Sequence, residues 1–175
     1  LKAAREALSP AVPAGHVRPM ALARMVPSEV NALVVGAGGL GCPASLALAR
    51  AGVRRLTLAD PDRVDETNLH RQLWHRASDV GRPKVESAAD RLRAAFPGLA
   101  VATFPHAVGA ANAEELFRRH DLVLDATDGD AIKFLLSDAS VLTSIPLVYG
   151  GALRLKGQAM RIAPGGPCLR CLFEA

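Results

Sequence analysis

The feature that most constrains the fold is a glycine-rich segment, Gly36-Ala37-Gly38-Gly39-Leu40-Gly41, which lies between an apolar run and a helix-favouring run. The apolar run is Ala32 to Val35, and the helix-favouring run covers residues 42–49. This order predicts a strand, a tight turn and a helix, with backbone N–H groups of the turn facing an anion. Glycine suits such a turn because a Cβ would keep the backbone away from a phosphate. The segment predicts a phosphate site, although an ordinary flexible loop has the same short pattern.

Apolar and helix-favouring runs alternate along the rest of the chain. The sequence is 50% hydrophobic but only 4% aromatic, which suits helices on a parallel sheet better than a β-sandwich. We therefore predict an α/β fold: a Rossmann-like, doubly wound, mostly parallel sheet with antiparallel C-terminal edge strands. The predicted strands cover 32–35, 55–59, 99–104, 122–124 and 146–149, with an edge pair at 152–155 and 158–162, and the predicted helices cover 43–52, 83–96, 112–117 and 130–142. Gly150-Gly151 is expected to end the fifth strand.

The chain divides into an arm and one domain. Residues 1–30 contain Pro10, Pro13, Pro19 and Pro27, which are too closely spaced for a long helix. We interpret this region as an N-terminal arm or linker. The remaining residues, 31–175, are enough for a single domain with one hydrophobic core.

Charge and hydropathy patterns argue against several classes of partner. The formal net charge is +4, but acidic and basic residues are interspersed. A nucleic-acid-binding protein would more often show a basic stripe with stacking aromatic residues. No apolar run approaches the ~18 residues of a membrane span, and the N-terminus lacks the order of a signal peptide. We expect no nucleic-acid or membrane partner and a cytoplasmic location.

Polar side chains follow the predicted strands at the edge of the sheet where ligands of open α/β folds bind. Asp60 falls 24 positions after Gly36, close to the spacing of a carboxylate that accepts hydrogen bonds from ribose hydroxyls. The alternative for Asp60 is an acid that only caps a helix or stabilises a turn. Asp128 follows the fourth strand, where capping of the next helix competes with magnesium binding.

The long connection over residues 60–82 is the most informative stretch after the glycine segment, because long loops in compact domains are usually functional. Arg71 lies in it and Lys84 lies just beyond it. Both residue types are usually solvated, but beside a phosphate loop they would neutralise a triphosphate. The same connection contains His70, Trp74 and His75, which we interpret as packing or surface residues.

Two of the three cysteines form a Cys168-Leu169-Arg170-Cys171 pair. Such a pair supplies half of a four-cysteine zinc site. A redox pair is the alternative, although redox pairs usually begin a helix of a thioredoxin-like domain. Cys42 is expected to pack as a small apolar residue.

Together these segments resemble the MoeB/ThiF-type adenylyltransferases of the HesA/MoeB/ThiF family, relatives of the ubiquitin-activating enzymes. The resemblance extends from about Asn31 to Cys171. Its motifs are GAGGLGCP at 36–43, LADPD at 58–62, ETNLHRQ at 66–72, GRPKVESA at 81–88, DATD at 125–128 and CLRC at 168–171. No one of them is specific alone, whereas the set is.

The resemblance implies that residues 31–175 are an ATP-binding adenylation domain. Its implied reaction is adenylation of the C-terminal Gly-Gly carboxylate of a ubiquitin-like sulfur carrier, as in molybdopterin or thiamine biosynthesis, by a homodimer. ATP and Mg²⁺ are the implied cofactors, with zinc at Cys168 and Cys171. The implied nucleotide-binding residues are Gly36, Gly38, Gly39, Gly41, Asp60, Asn68, Arg71, Lys84 and Asp128. Of these, Asp60 would bind the ribose and Asp128 would bind Mg²⁺, while Arg71, Lys84 and Asp128 would be catalytic.

This sequence also departs from the family pattern. The Arg-Tyr-x-Arg-Gln arm that lends an arginine across the dimer has no match, leaving Arg5, Arg18 and Arg24 as candidates. The usual Thr-Asp-Asn ends in Gly129, and the arginine four residues later is Lys133. The second cysteine pair and a transfer cysteine would follow Cys171, so the domain is expected to be truncated. An NAD-dependent dehydrogenase and a non-catalytic carrier-binding protein are the alternative functions.

Overall fold

The computed structural model describes residues 28–173, which form one six-stranded sheet flanked by helices. Arg5, Arg18, Arg24 and nearly all of the predicted arm lie outside the described residues. The strands are β1 (Asn31–Val35), β2 (Arg55–Ala59), β3 (Ala100–Phe104), β4 (Leu122–Asp125), β5 (Leu147–Leu153) and β6 (Lys156–Ile162). The helices are α1 (Gly41–Arg50), α2 (Lys84–Ala95), α3 (Ala113–Arg118), α4 (Asp130–Thr143) and α5 (Leu169–Phe173).

The strand order is β3-β2-β1-β4-β5-β6. The first five strands of this order pair in parallel, and β6 pairs antiparallel with β5. The predicted fold class, a doubly wound and mostly parallel sheet with an antiparallel C-terminal edge, is therefore confirmed. The chain leaves β1 toward β2 on one side and reaches β4 on the other. This reversal opens a crevice at the carboxyl ends of β1 and β4, where ligands of such folds bind.

Both faces of the sheet are covered, as the apolar strands predict. On one face, Ala32 and Val34 of β1 pack in a core with α2 residues such as Val85 and Leu92. On the other face, Leu33 and Val35 pack in a core with Phe117 of α3 and Leu136 of α4. Alternate residues of β1 thus pack into opposite cores. These cores fix the strand in the middle of the sheet, and the candidate site lies at its carboxyl end.

The prediction that Gly150-Gly151 ends the fifth strand is wrong. β5 continues through both glycines to Leu153, and Gly150 and Gly151 pair with Ala159 and Gln158 of β6. Pairing on β6 keeps the glycines extended. A Cβ at Gly151 would lie 2.7 Å from the hydroxyl oxygen of Tyr149, so glycine at this position leaves room for the Tyr149 side chain. The predicted antiparallel edge pair exists, but its first strand is the far half of β5.

The connection between β2 and α2 is a closed loop with two short 3₁₀ turns, Glu66–Asn68 and Ala77–Asp79. The N–H of Val64 donates to Arg82 O over 2.8 Å, and the N–H of Gly81 donates to Val64 O over 2.9 Å. The buried Asp79 carboxylate pairs with Arg82 and Arg91, each at 3.1 Å. These contacts fix the connection against α2.

None of the helices between residues 28 and 173 combines the length and apolar character that crossing a bilayer requires.

Candidate nucleotide site

The glycine loop lies between β1 and α1, at the carboxyl edge of the sheet and against the end of β4. The Gly36 N–H donates to Ala59 O over 2.7 Å, and the Ala126 N–H donates to Val35 O over 2.8 Å. Gly36 has a φ of +99°, and a Cβ there would lie 2.7 Å from Ala126 O. A Cβ at Gly41 would overlap the carbonyl oxygen of Gly36. The fold itself therefore requires glycine at 36 and 41, because backbone meets backbone there.

Gly38 and Gly39 differ from these two glycines. A Cβ at Gly38 would lie 3.6 Å from Gln72 Nε2, and one at Gly39 would lie 3.8 Å from the side chain of Arg71. Both distances are ordinary contacts, so the protein's own packing does not require glycine at either position. What glycine does provide is a bare backbone surface that an anion can approach closely. This surface fits a phosphate group.

Asp60 directly follows β2, and its buried carboxylate holds the glycine loop. Its Oδ2 accepts a hydrogen bond from the Ala37 N–H over 2.7 Å, and its Oδ1 accepts one from the Asp62 N–H over 2.8 Å. A carboxylate has about four lone-pair positions. Two backbone donors therefore leave acceptor capacity for a ribose hydroxyl, which remains the predicted partner.

Asn68 and Arg71 come together beside the glycine loop. Arg71 Nη2 donates to Asn68 Oδ1 over 2.6 Å. The aliphatic part of the Arg71 side chain lies next to Gly39, and Arg71 as a whole is exposed. The pair presents a positive charge beside the bare glycine surface, as a phosphate site needs.

Lys84 begins α2 and is buried, with 7% of its surface exposed. Its Nζ donates to Asp62 Oδ2 over 2.8 Å, and its N–H donates to Asp62 O over 2.9 Å. A solvated surface lysine, the ordinary alternative, is therefore wrong for Lys84. The sequence interpretation did not single out Asp62, although the acid lies inside the LADPD motif.

The end of β4 is built around the buried pair of Asp125 and Lys133. Asp125 Oδ1 accepts hydrogen bonds from the Thr127 N–H over 2.9 Å and the Thr127 hydroxyl over 2.7 Å. Lys133 Nζ lies 3.4 Å from both Asp125 carboxylate oxygens and donates to Gly150 O over 2.7 Å. These contacts shape the turn that follows β4. Lys133 therefore has a structural role, because it joins the Asp125 carboxylate at the end of β4 to the backbone of β5.

Asp128 lies in that turn with an exposed side chain, two residues after the Ala126 that packs on Gly36. The N-cap residue of α4 is Gly129, and no side chain between residues 28 and 173 caps the helix. The capping alternative for Asp128 is therefore wrong. An exposed carboxylate beside the glycine loop is a suitable magnesium ligand when phosphate oxygens complete the coordination.

Trp74 and His75 are packing residues of the site, as expected: Trp74 contacts the first turn of α1, and His75 contacts the glycine loop. Trp74 Nε1 donates to Cys42 O and Ser45 Oγ, each over 2.9 Å. The buried Cys42 thiol donates to Ala37 O over 3.3 Å, and burial raises the pKa of Cys42 to about 11. Gln72 is also buried beside the loop, and its Oε1 has no hydrogen-bond partner among the residues that the structure describes. The composition of the sequence does not indicate these contacts, because they depend on the path of the connection between β2 and α2.

Cys168 and Cys171 lie at the start of α5 with their Sγ atoms 3.5 Å apart. A hydrogen bond from the backbone of Cys171 lowers the pKa of the Cys168 thiol. Within residues 28–173, no group of three or more cysteine, histidine or acidic side chains is placed to hold a metal. The two thiols fit half of a zinc site, and the complete site stays a prediction.

The chain is similar in sequence to one protein family and to several curated proteins. The model of the ThiF family matches residues 24–175. A UBA4 adenylyltransferase and sulfurtransferase from Meyerozyma guilliermondii is 45% identical over 146 residues, which are 83% of this chain and 34% of the relative. A MOCS3 adenylyltransferase and sulfurtransferase from Culex quinquefasciatus is 49% identical over 146 residues, which are 83% and 33% of the two chains. A MOCS3-1 protein of the same description from Zea mays is 46% identical over 147 residues, 83% and 31% of the two chains.

This chain spans about a third of the length of the curated relatives that it matches. The match nevertheless covers the whole of the described sheet, the glycine loop and the connection that carries Arg71. On that coverage, the chain belongs to the ThiF family.

Proposed function

We propose that this chain is the nucleotide-binding part of an adenylyltransferase that uses ATP and Mg²⁺ to activate a ubiquitin-like sulfur carrier. The observation that carries the proposal is the bare surface of Gly38 and Gly39, with Arg71 beside it and Lys84 at the start of α2. The names of the UBA4 and MOCS3 relatives support the adenylyltransferase reaction.

The nucleotide would lie over the carboxyl ends of β1, β2 and β4. Gly36 and Gly41 shape the loop, while Gly38 and Gly39 offer backbone N–H groups to the phosphates. The remaining roles are Asp60 at the ribose, Asn68, Arg71 and Lys84 at the phosphates, and Asp128 at Mg²⁺. The metal supplies charge neutralisation at the phosphate oxygens when bound.

The proposed substrate is the terminal carboxylate of a carrier that ends in Gly-Gly. This carboxylate is already ionised near pH 7, so it needs no general base. One of its oxygens forms a bond to the α-phosphorus, the bond from that phosphorus to the bridging oxygen breaks, and pyrophosphate leaves. Catalysis then consists of alignment and of charge neutralisation by Arg71 and Lys84. The product is an acyl-adenylate ready for sulfur transfer.

The assembly around this site is part of the same proposal. We propose that the protein acts in the cytoplasm as a homodimer. Cys168 and Cys171 would contribute half of a structural zinc site. The relatives' names combine adenylyltransferase with sulfurtransferase, which supports a carrier that delivers sulfur.

The test is ATP–pyrophosphate exchange with the full-length protein. We expect exchange that depends on a carrier ending in Gly-Gly and that stops when the two terminal glycines are removed. No exchange from folded, full-length protein with any Gly-Gly carrier of its genome would contradict the proposal. Tight NADH binding without ATP binding would favour a dehydrogenase instead, and ATP binding without exchange would favour a non-catalytic carrier-binding protein.

A further inference from the structure

Two consecutive peptide groups of the glycine loop are held from opposite ends by buried side chains. The Ala37 N–H donates to Asp60, as described above. The Ala37 carbonyl oxygen lies 3.1 Å from His75 Nε2, and His75 is 5% exposed. The adenylation chemistry proposed above does not use this histidine. The proposed chemistry therefore does not explain why a histidine is buried against the glycine loop.

The hydrogen-bond partners of the ring decide where its proton lies. The Ala37 carbonyl only accepts, so Nε2 must carry a hydrogen for the contact to be a hydrogen bond. The second ring nitrogen, Nδ1, lies 2.9 Å from Ser87 Oγ and then accepts from the Ser87 hydroxyl. Burial lowers the pKa of His75, so the ring is neutral near pH 7.

Ser87 also faces the Asp79 carboxylate, and a hydroxyl group has one proton to give. Asp79 already accepts from Arg82, Arg91 and the backbone N–H of Arg76. We therefore assign the Ser87 proton to the hydrogen bond with His75 Nδ1. If Ser87 donated to Asp79 instead, Nδ1 would carry the ring proton, and an unprotonated Nε2 would face the Ala37 carbonyl oxygen.

The peptide that His75 holds is the one joining Ala37 to Gly38. A trans peptide is planar, with its C=O and N–H on opposite sides. Fixing the carbonyl toward His75 therefore points the Gly38 N–H away from His75. The other donor to this carbonyl is the Cys42 thiol, at 3.3 Å and only weakly donating. Without His75, glycine at 38 would let the peptide rotate more readily, and a rotated peptide would turn a carbonyl oxygen toward a bound anion.

We propose that His75 is a positioning residue for the nucleotide: by holding the Ala37 carbonyl it aims the Gly38 N–H at a phosphate of ATP. This inference rests on the proposed function, because it takes ATP to be the ligand of the loop. His75 itself touches neither the phosphates nor the carrier.

The first test compares His75→Gln with His75→Asn. Glutamine reaches about as far as Nε2 and can still donate to the Ala37 carbonyl, whereas asparagine reaches only to the level of Nδ1. We expect His75→Asn to weaken ATP binding about tenfold by calorimetry, and His75→Gln to restore it to within about threefold. Adenosine has no phosphates, so its affinity should be the same in both variants. The matched control is His120→Asn, since His120 is also buried and bonded, to Leu116 O and Thr57 Oγ1.

Two results would overturn the positioning role. One is equal ATP binding by the asparagine variant and the wild type. The other is a loss that appears for adenosine as well as ATP and equals the loss in the His120 control, since this indicates general destabilisation.

A second measurement needs no nucleotide. The ¹⁵N signals of the His75 ring, assigned by their loss in His75→Gln, should show a protonated Nε2 and an unprotonated Nδ1. A protonated Nδ1 with an unprotonated Nε2 would overturn the positioning role even when the wild type binds ATP. A wild type that shows the expected ring protons but does not bind ATP would instead refute the proposed function, and the positioning role with it.

Discussion

Lys84 Nζ lies 2.8 Å from Asp62 Oδ2 in a pair that joins a buried ammonium group to a largely exposed carboxylate. The pair holds the lysine at the start of α2, beside the segment that follows Asp60. Because Asp62 is exposed, solvent screens its attraction for the ammonium group. A triphosphate arriving at the loop would therefore compete well for the same positive charge.

Lys84→Ala should slow adenylation about 100-fold, the scale of losing one electrostatic donor aimed at a transition state. ATP–pyrophosphate exchange measures the effect. The control is Lys156→Ala, which removes an exposed lysine of β6 and should leave exchange unchanged. Equal rates in the wild type and the Lys84 variant would refute the role.

The glycines of the loop should separate into two classes. Gly41→Ala should destabilise the fold by about 3 kcal/mol or more, because its Cβ would overlap backbone. Gly39→Ala should cost less than about 1 kcal/mol in unfolding free energy yet weaken ATP binding about tenfold, since its Cβ stands on the bare surface. Urea unfolding and calorimetry measure the two effects. Equal losses of stability at both positions would contradict the distinction.

Asp128→Asn should raise the Mg²⁺ concentration needed for half-maximal exchange by about tenfold, because an amide is a poorer ligand than a carboxylate. The matched control is Asp130→Asn, which changes an exposed acid in the first turn of α4. Exchange measured over a magnesium titration separates the two variants. Identical titrations would remove Asp128 from the metal site.

The three cysteines should react with a thiol reagent in two phases. Cys168 and Cys171 are accessible and the pKa of Cys168 is lowered, so both should react within the fast phase. Cys42 is buried with its pKa raised to about 11, so it should react only as the protein unfolds. A Cys168→Ser/Cys171→Ser variant should lose the fast phase entirely. A fast reaction of that variant would show that Cys42 is accessible.

Asp79 should protect the protein against acid. Burial raises its pKa, but hydrogen bonds, led by those from Arg91 and the Arg76 backbone, outweigh burial and lower the pKa below its ordinary value. A carboxyl with a lowered folded-state pKa stabilises the fold at pH values above its unfolded pKa of about 3.9, and this stability is lost as the pH falls through the lowered folded-state pKa. Asp79→Asn should therefore cost about 2 kcal/mol at pH 7 and less at pH 3. Urea unfolding at both pH values is the measurement, and an equal cost at both would contradict the expectation.

The order of strands and helices was predictable because each local pattern agrees with the sheet. The apolar run before Gly36, the acid after β2 and the proline before α2 each mark a boundary that the structure keeps. The error at Gly150-Gly151 has a different origin. Cross-strand pairing with β6 decided the conformation there, and local glycine propensity does not include a partner strand.

The candidate site residues were predictable from the sequence, but the residues that hold them in position were not. Motif resemblance selected Arg71 and Lys84, while nothing local indicates that Asp62 holds Lys84 or that His75 holds Ala37. Those contacts join residues 22 and 38 positions apart. They follow from the path of a long connection, which single-sequence patterns do not describe.

The backbone bonds from Val64 to Gly81 and Arg82 bring the two ends of the segment between them together. Because the ends meet, the exposed positions of the segment can change without moving β2 or α2, and a longer loop adds little closure entropy. Exchange of residues 65–80 between family members, with Gln72, Trp74, His75 and Asp79 retained, should therefore alter phosphate handling while preserving the sheet. In evolutionary terms, members of the family can change their phosphate contacts through this segment while the strand order of the sheet stays the same.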